Sequence, residues 1–117
     1  MHEPPTITVY RPIGPEEYEL VRKNGFTAWP PRKPDQTIFY PVANEEYAVE
    51  ITRCWNVKQY GVGYVTRFEI SRSFIDRYEL QTVGAAHHRE WWVPARDLAA
   101  LNQHIIGKIE VIGKYTE

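Results

Sequence analysis

Residues whose types and spacing suit chemistry concentrate in one short stretch of this chain, from His87 to Pro94. His87-His88-Arg89-Glu90 offers two imidazoles and a carboxylate, the donor set of a zinc site. In an extended strand, adjacent side chains point to opposite faces, so the two histidines are expected to diverge. His88 and Glu90 then share a face, which His104 can join. Two-residue spacing on one strand is weakly specific, and no metal is expected. Glu90 itself precedes Trp91-Trp92-Val93-Pro94. A carboxylate beside two tryptophans is partly desolvated, which favours a raised pKa or a cationic partner. Against this stands the plain alternative of a solvated strand-end carboxylate paired with Arg89 or Arg96.

Other chemistries find no support. Gly61-Val62-Gly63 opens a strand rather than a helix, and neither a dinucleotide fingerprint nor a P-loop is present. These glycines read as a hairpin-type connection. Cys54 falls among apolar helical positions, where a thiol behaves as a small core residue rather than a nucleophile. No GxSxG elbow occurs. The pairs Glu16-Glu17 and Glu45-Glu46 sit at helix beginnings, where the helix dipole favours negative charge, and need no catalytic explanation.

Composition narrows the class further. The chain's 117 residues suit one domain with its own core. Lys and Arg number 14 against 15 Asp and Glu, a formal net charge of -1. That balance creates no strong field for nucleic acid or anionic lipid, although Arg67, Arg72, Arg77, Arg89 and Arg96 cluster in the C-terminal half. A single cysteine excludes an internal disulfide. No apolar run matches a membrane span and MHEPPTITVY has no signal-peptide core, so a cytoplasmic location is expected.

The elements that must position these residues are legible from pattern. Thr6 to Arg11 alternates as a first strand after a proline-rich tip, and Pro12 is expected to end it. A helix follows from Pro15 to Asn24, stopped by Gly25. Prolines 30, 31 and 34 make a stiff loop, and Ile38 to Val42 is a brief apolar strand. Asn44 caps a second helix to about Trp55, with Tyr47, Ala48, Ile51, Cys54 and Trp55 at the spacing of one buried face. In the strand from Val62 to Ser71, residues 62, 64, 66, 68 and 70 face the core, with Arg67 and Glu69 opposite. A short turn or helical piece at Ser73 to Asp76 precedes strands at Tyr78 to Val83 and His88 to Val93, which means that Trp91 and Trp92 cannot both face inward. Pro94 starts a last helix ending at Gly107, and Lys108 to Tyr115 closes the chain as a strand. Consecutive strands without intervening helices imply antiparallel pairing. The fold class is α+β: a compact, mixed, largely antiparallel split sheet with two to three helices.

In this order the pieces resemble the ADP-ribosyltransferase fold. Carrying the likeness are Tyr10-Arg11, Gly25-Phe26, IFYPV before the helix with Tyr47-Ala48, YVTRFEI, YELQTVG, and above all EWWVPARDLAALNQHIIGKIEV. The whole chain is also similar to small bacterial proteins carrying an ADP-ribosylation/crystallin-type label. The resemblance implies NAD as substrate, Glu90 as the catalytic carboxylate that bonds the nicotinamide ribose and stabilises oxocarbenium-like charge, and Arg11 as a ligand for NAD phosphates or ribose. No Ser-Thr-Ser occurs at the central position. Tyr40 is the nearest residue to stack on nicotinamide, with Tyr47 behind it. His88 takes the place two residues before the glutamate where arginine-modifying members have Gln or Glu, which argues against an arginine acceptor.

Such residue types suit the chemistry. A carboxylate stabilises a cationic ribosyl centre more in the transition state than in the ground state. An arginine fork matches diphosphate oxygens, and an aromatic face holds a flat ring. On the residues alone, Arg11 also reads as a strand-end surface charge and Tyr40 as a core tyrosine. Two other functions fit the sequence: a non-catalytic module binding a nucleotide, peptide or protein partner, and RNA or nucleotide-end processing on a related fold.

Overall fold

The computed structural model describes residues 5–117. The proline-rich tip expected ahead of the first strand lies, apart from Pro5, outside the described residues.

Strand β1 (Thr6–Ile13) leads into helix α1 (Pro15–Lys23), which has proline in its first turn with Glu16 and Glu17 near the positive end of its dipole. After the proline loop come β2 (Ile38–Phe39) and helix α2 (Glu45–Ile51). Asn44 caps α2, its side chain accepting from the Tyr47 amide at 2.8 Å. Helix α2 runs on through a π turn (Thr52–Asn56) into a last helical turn, α3 (Val57–Tyr60). Then follow β3 (Val62–Ser71), the single-turn α4 (Arg72–Ile75), β4 (Leu80–Thr82), β5 (Arg89–Trp91) and β6 (Val93–Pro94). A 3-10 turn (Ala95–Asp97), α5 (Leu98–Gln103) and β7 (Ile105–Thr116) complete the chain.

Every strand pair is antiparallel among the described residues, as expected for this α+β class. The main sheet has the order β1-β3-β7, with β2-β6 and β4-β5 as two further pairs. Single bridges from Tyr10 to Val42 and from Val42 to Glu90 join these pairs to β1. Ile38 with Pro94, Phe39 with Val93 and Val42 with Glu90 all keep one register, which places Tyr40 across from Trp92.

Between the main sheet, α1 and the β2-β6 layer lies the larger core, which includes Val9, Ile13, Trp29, Phe39, Phe68, Ile70, Phe74 and Trp91. A smaller cluster of Val42, Tyr47, Ala48 and Val65 seats α2 on the opposite face of the sheet. Val65 is therefore buried on the side that its neighbours Arg67 and Glu69 mark as solvated.

Four local expectations are corrected. Proline does not end β1 at Arg11. Tyr10 exchanges both backbone bonds with Val42, so Pro12 turns its donor-less nitrogen the same way, off β3, where no ladder bond is needed. Gly107 does not stop the last helix. It lies inside β7 at φ 78°, beside the shift in register opposite Arg67–Glu69, where a bulge wants a left-handed residue. Gly61-Val62-Gly63 is a helix-to-strand joint, with Gly61 at φ 80° as the left-handed cap of α3. Finally, Cys54 and Trp55 are exposed, not core. The wide π turn advances the buried face from Thr52 to Val57 rather than to Trp55, and so rotates Cys54 and Trp55 outward.

Candidate functional site

Where β1, the proline loop, the 38–43 segment, the π turn and β5 meet, a cleft of about 890 Å³ opens. Arg11, Arg32, Tyr40, Trp55, Glu90 and Trp92 are among the side chains lining it. A smaller cavity of about 230 Å³ lies beyond Arg11, bounded by Glu17, Arg32 and Tyr60. The larger cleft is the candidate site, because it combines a carboxylate, two guanidiniums and exposed aromatic surface. Trp55 is 69 % exposed, Trp92 45 % and Tyr40 40 %.

Glu90 owes its position to two backbone partners, Gln81 of β4 and Val42. Its carboxylate is held from both sides. The Tyr47 hydroxyl donates to Oε1 at 2.7 Å, and the Trp92 indole Nε1 donates to Oε2 at 2.8 Å. Both donors are neutral, so the carboxylate keeps its charge uncancelled, and each oxygen retains a further lone pair. Tyr47 is buried on α2. Burial, donation to Glu90 and the negative charges of Glu90 and Glu50 push its phenol well above the usual tyrosine range. Tyr47 therefore stays a hydrogen-bond donor throughout the physiological range.

Arg11 is 7 % exposed and lies on the core face of β1. Its Nε and Nη2 form a fork with the Glu17 carboxylate at 2.7 and 2.9 Å, and its guanidinium sits 4.2 Å from the Phe39 ring centroid. The charge is thus matched within the protein by α1. Arg32, in the proline loop, differs. Its Nη2 donates to the Ile38 carbonyl at 3.2 Å, while its buried Nε has no acceptor among the described residues. Desolvation first, and then the neighbouring Arg11, lower its pKa from the usual arginine value.

The two histidines do not diverge. His87 and His88 belong to the turn before β5 rather than to a strand, so strand alternation does not apply. The His87 Nε2 lies 2.7 Å from Glu50 Oε2, and the His88 Nε2 3.0 Å from both Glu50 oxygens. These three residues could hold an ion by geometry. The backbone argues for a proton instead: His88 Nδ1 accepts from the Ala85 amide at 3.0 Å, which leaves Nε2 as the protonated, donating nitrogen. Hydrogen bonds from His87 first, then His88, lower the Glu50 pKa. The cluster is a clasp between α2 and the turn, strengthened by Asn44 Nδ2 donating to the His87 carbonyl at 2.9 Å.

Of the residues singled out in the sequence, Arg11, Tyr40 and Glu90 come together on the cleft. Tyr40 is an exposed wall residue, not a core tyrosine. Tyr47 and His88 stand behind the cleft, their rings stacked at 4.7 Å, with Tyr47 reaching Glu90 by its hydroxyl alone. Trp91 is buried and Trp92 exposed, as strand alternation requires. Arg32 and Glu50 were not singled out from pattern, where Glu17 reads only as a dipole-favoured charge at a helix start and Trp55 as a core position. Arg32 had a local signal, as the first of two adjacent cations, Arg32-Lys33, fixed between Pro30-Pro31 and Pro34.

No helix among the described residues is long and apolar enough to cross a membrane. Compared with known protein families, with curated proteins and with solved structures, the chain finds no match.

Proposed function

We propose that the cleft binds NAD or a closely related nucleotide and that Glu90 assists cleavage of the bond between nicotinamide and ribose. The reading rests on one observation above all: a carboxylate held at both oxygens by neutral donors, facing a cleft that also carries two guanidiniums and exposed aromatic rings. When the glycosidic bond breaks, its electron pair leaves with the nicotinamide ring nitrogen and the ribosyl carbon becomes cationic. A fixed anion stabilises that carbon more as its charge develops. Water or an acceptor nucleophile then bonds to the carbon and releases its own proton, which makes the outcome glycohydrolysis or ADP-ribosyl transfer. Tyr40 and Trp92, across from each other in one register, offer a platform for a flat ring.

Nicotinamide release from NAD by wild-type protein, falling about 100-fold or more in Glu90→Gln, is the expected result. No release and no NAD binding by calorimetry would sink the proposal. A second reading, a module that holds the nucleotide without cleaving it, is favoured by Arg11, whose fork is given to Glu17. NAD binding without nicotinamide release selects that reading.

A further inference from the structure

Two arginines line the cleft, and among the described residues only one has an anionic partner. Arg11 is forked onto Glu17. Lys33, the other cation near the proline loop's tip, pairs with Glu16 at 2.9 Å. Arg32 forms no ion pair among the described residues, and its one protein acceptor is a backbone carbonyl. A half-buried guanidinium with a buried, unmatched Nε is costly to keep, and its Nη1, which has no protein acceptor among the described residues, is left to meet one from the cleft that Arg32 lines. It is also held in place: prolines 30, 31 and 34 stiffen its loop, and its guanidinium lies 5.8 Å from the Phe39 centroid, near that of Arg11. With Arg11 neutralised by Glu17, Arg32 supplies the unpaired positive charge at this end of the cleft, which makes it attractive to an anion.

We propose that Arg32, rather than Arg11, is the phosphate ligand of the cleft, taking the diphosphate oxygens of a nucleotide while Arg11 holds the wall behind it. The assignment rests on the cleft being a nucleotide site, but not on any bond being cleaved there. A fork facing two phosphoryl oxygens accounts for arginine at this position better than a surface role does, since lysine meets such a group only as a point charge.

The test is calorimetric titration of wild type, Arg32→Gln and Arg32→Lys with ADP, with inorganic pyrophosphate and with adenosine. Wild type is expected to bind ADP, with Arg32→Gln weaker by about tenfold or more and Arg32→Lys in between. Any adenosine binding is expected to be unchanged across the three. Pyrophosphate binding that follows Arg32 as ADP does means that the diphosphate alone is recognised; ADP binding alone means that the nucleoside is also needed. Both support the proposal. Should Arg32→Gln fail to fold by circular dichroism, Arg32→Lys decides, and an affinity for ADP equal to wild type overturns the assignment. Absence of ADP and pyrophosphate binding by wild type, or equal binding by a folded Arg32→Gln, also overturns it. Nicotinamide release is scored separately. Arg32-dependent ADP binding without release removes the proposed chemistry and leaves the phosphate site. Glu90-dependent release with unchanged ADP affinity in Arg32→Gln does the reverse.

Discussion

The Tyr47 hydroxyl meets the Glu90 carboxylate at 2.7 Å, linking a helix to a strand 43 residues away in sequence. That bond and the Trp92 indole fix the carboxylate's direction, and direction decides what a charge can stabilise. Tyr47→Phe is expected to cost about 1.5–3 kcal/mol of stability, the net worth of a hydrogen bond to a charged group. If Glu90 acts on NAD, the same variant should slow nicotinamide release with little change in KM, because Tyr47 does not line the cleft. Denaturant unfolding and steady-state kinetics together check this. A raised KM at unchanged kcat would instead make Tyr47 a binding residue.

Arg11 and Glu17 form a largely buried pair, and breaking one half leaves the other uncompensated. Arg11→Met is expected to destabilise the fold by about 2–4 kcal/mol, while the double change with Glu17→Leu recovers most of that loss. A double-mutant cycle in urea measures the coupling. A double variant as unstable as the single one would show that Arg11 matters through its packing on Phe39 and Trp29.

Gly63 is where β3 lets the π turn pass. A Cβ there would stand 2.6 Å from Thr52 Cγ2 and 2.9 Å from Asn56 Cβ, both in the turn. Gly63→Ala is expected to cost about 1–3 kcal/mol, as overpacking does, and to shift the helix that carries Tyr47 and Trp55. The unfolding midpoint reports the first effect, and Trp55 fluorescence the second. An unchanged midpoint would contradict the close approach.

Tyr78 donates to Asp97 Oδ2 at 2.8 Å. Burial and that bond push its phenol up to about 12. In the unfolded chain a tyrosine loses its proton near pH 10, so above that pH the unfolded state holds fewer protons and gains relative to the fold. Stability from this group is therefore complete below about pH 10 and is lost as the pH rises toward 12. Tyr78→Phe is expected to show a shallower decline than wild type between pH 9 and 11 in urea unfolding. Parallel curves would refute the assignment.

Much of the architecture was open to reading from the chain itself. Strands at Thr6 and Val62, the Asn44 cap, the proline loop and the inward and outward tryptophans all follow from short-range rules, because alternation, capping and fixed φ act over a few residues. Glu90 stood out for the same reason, as a carboxylate beside two tryptophans. Only tertiary structure decided the rest. A π turn is one extra residue in a helix, invisible to a 3.6-residue period, and it moved Trp55 and Cys54 from core to surface. The histidines converge on Glu50 because they occupy a turn, where alternation has no force. The pairing of Arg11 with Glu17, and the lack of an ion-pair partner for Arg32 among the described residues, depend on how α1 and the proline loop pack across β1. Charge type is written in the sequence, but which charges neutralise each other is a matter of distance, and distance belongs to the fold.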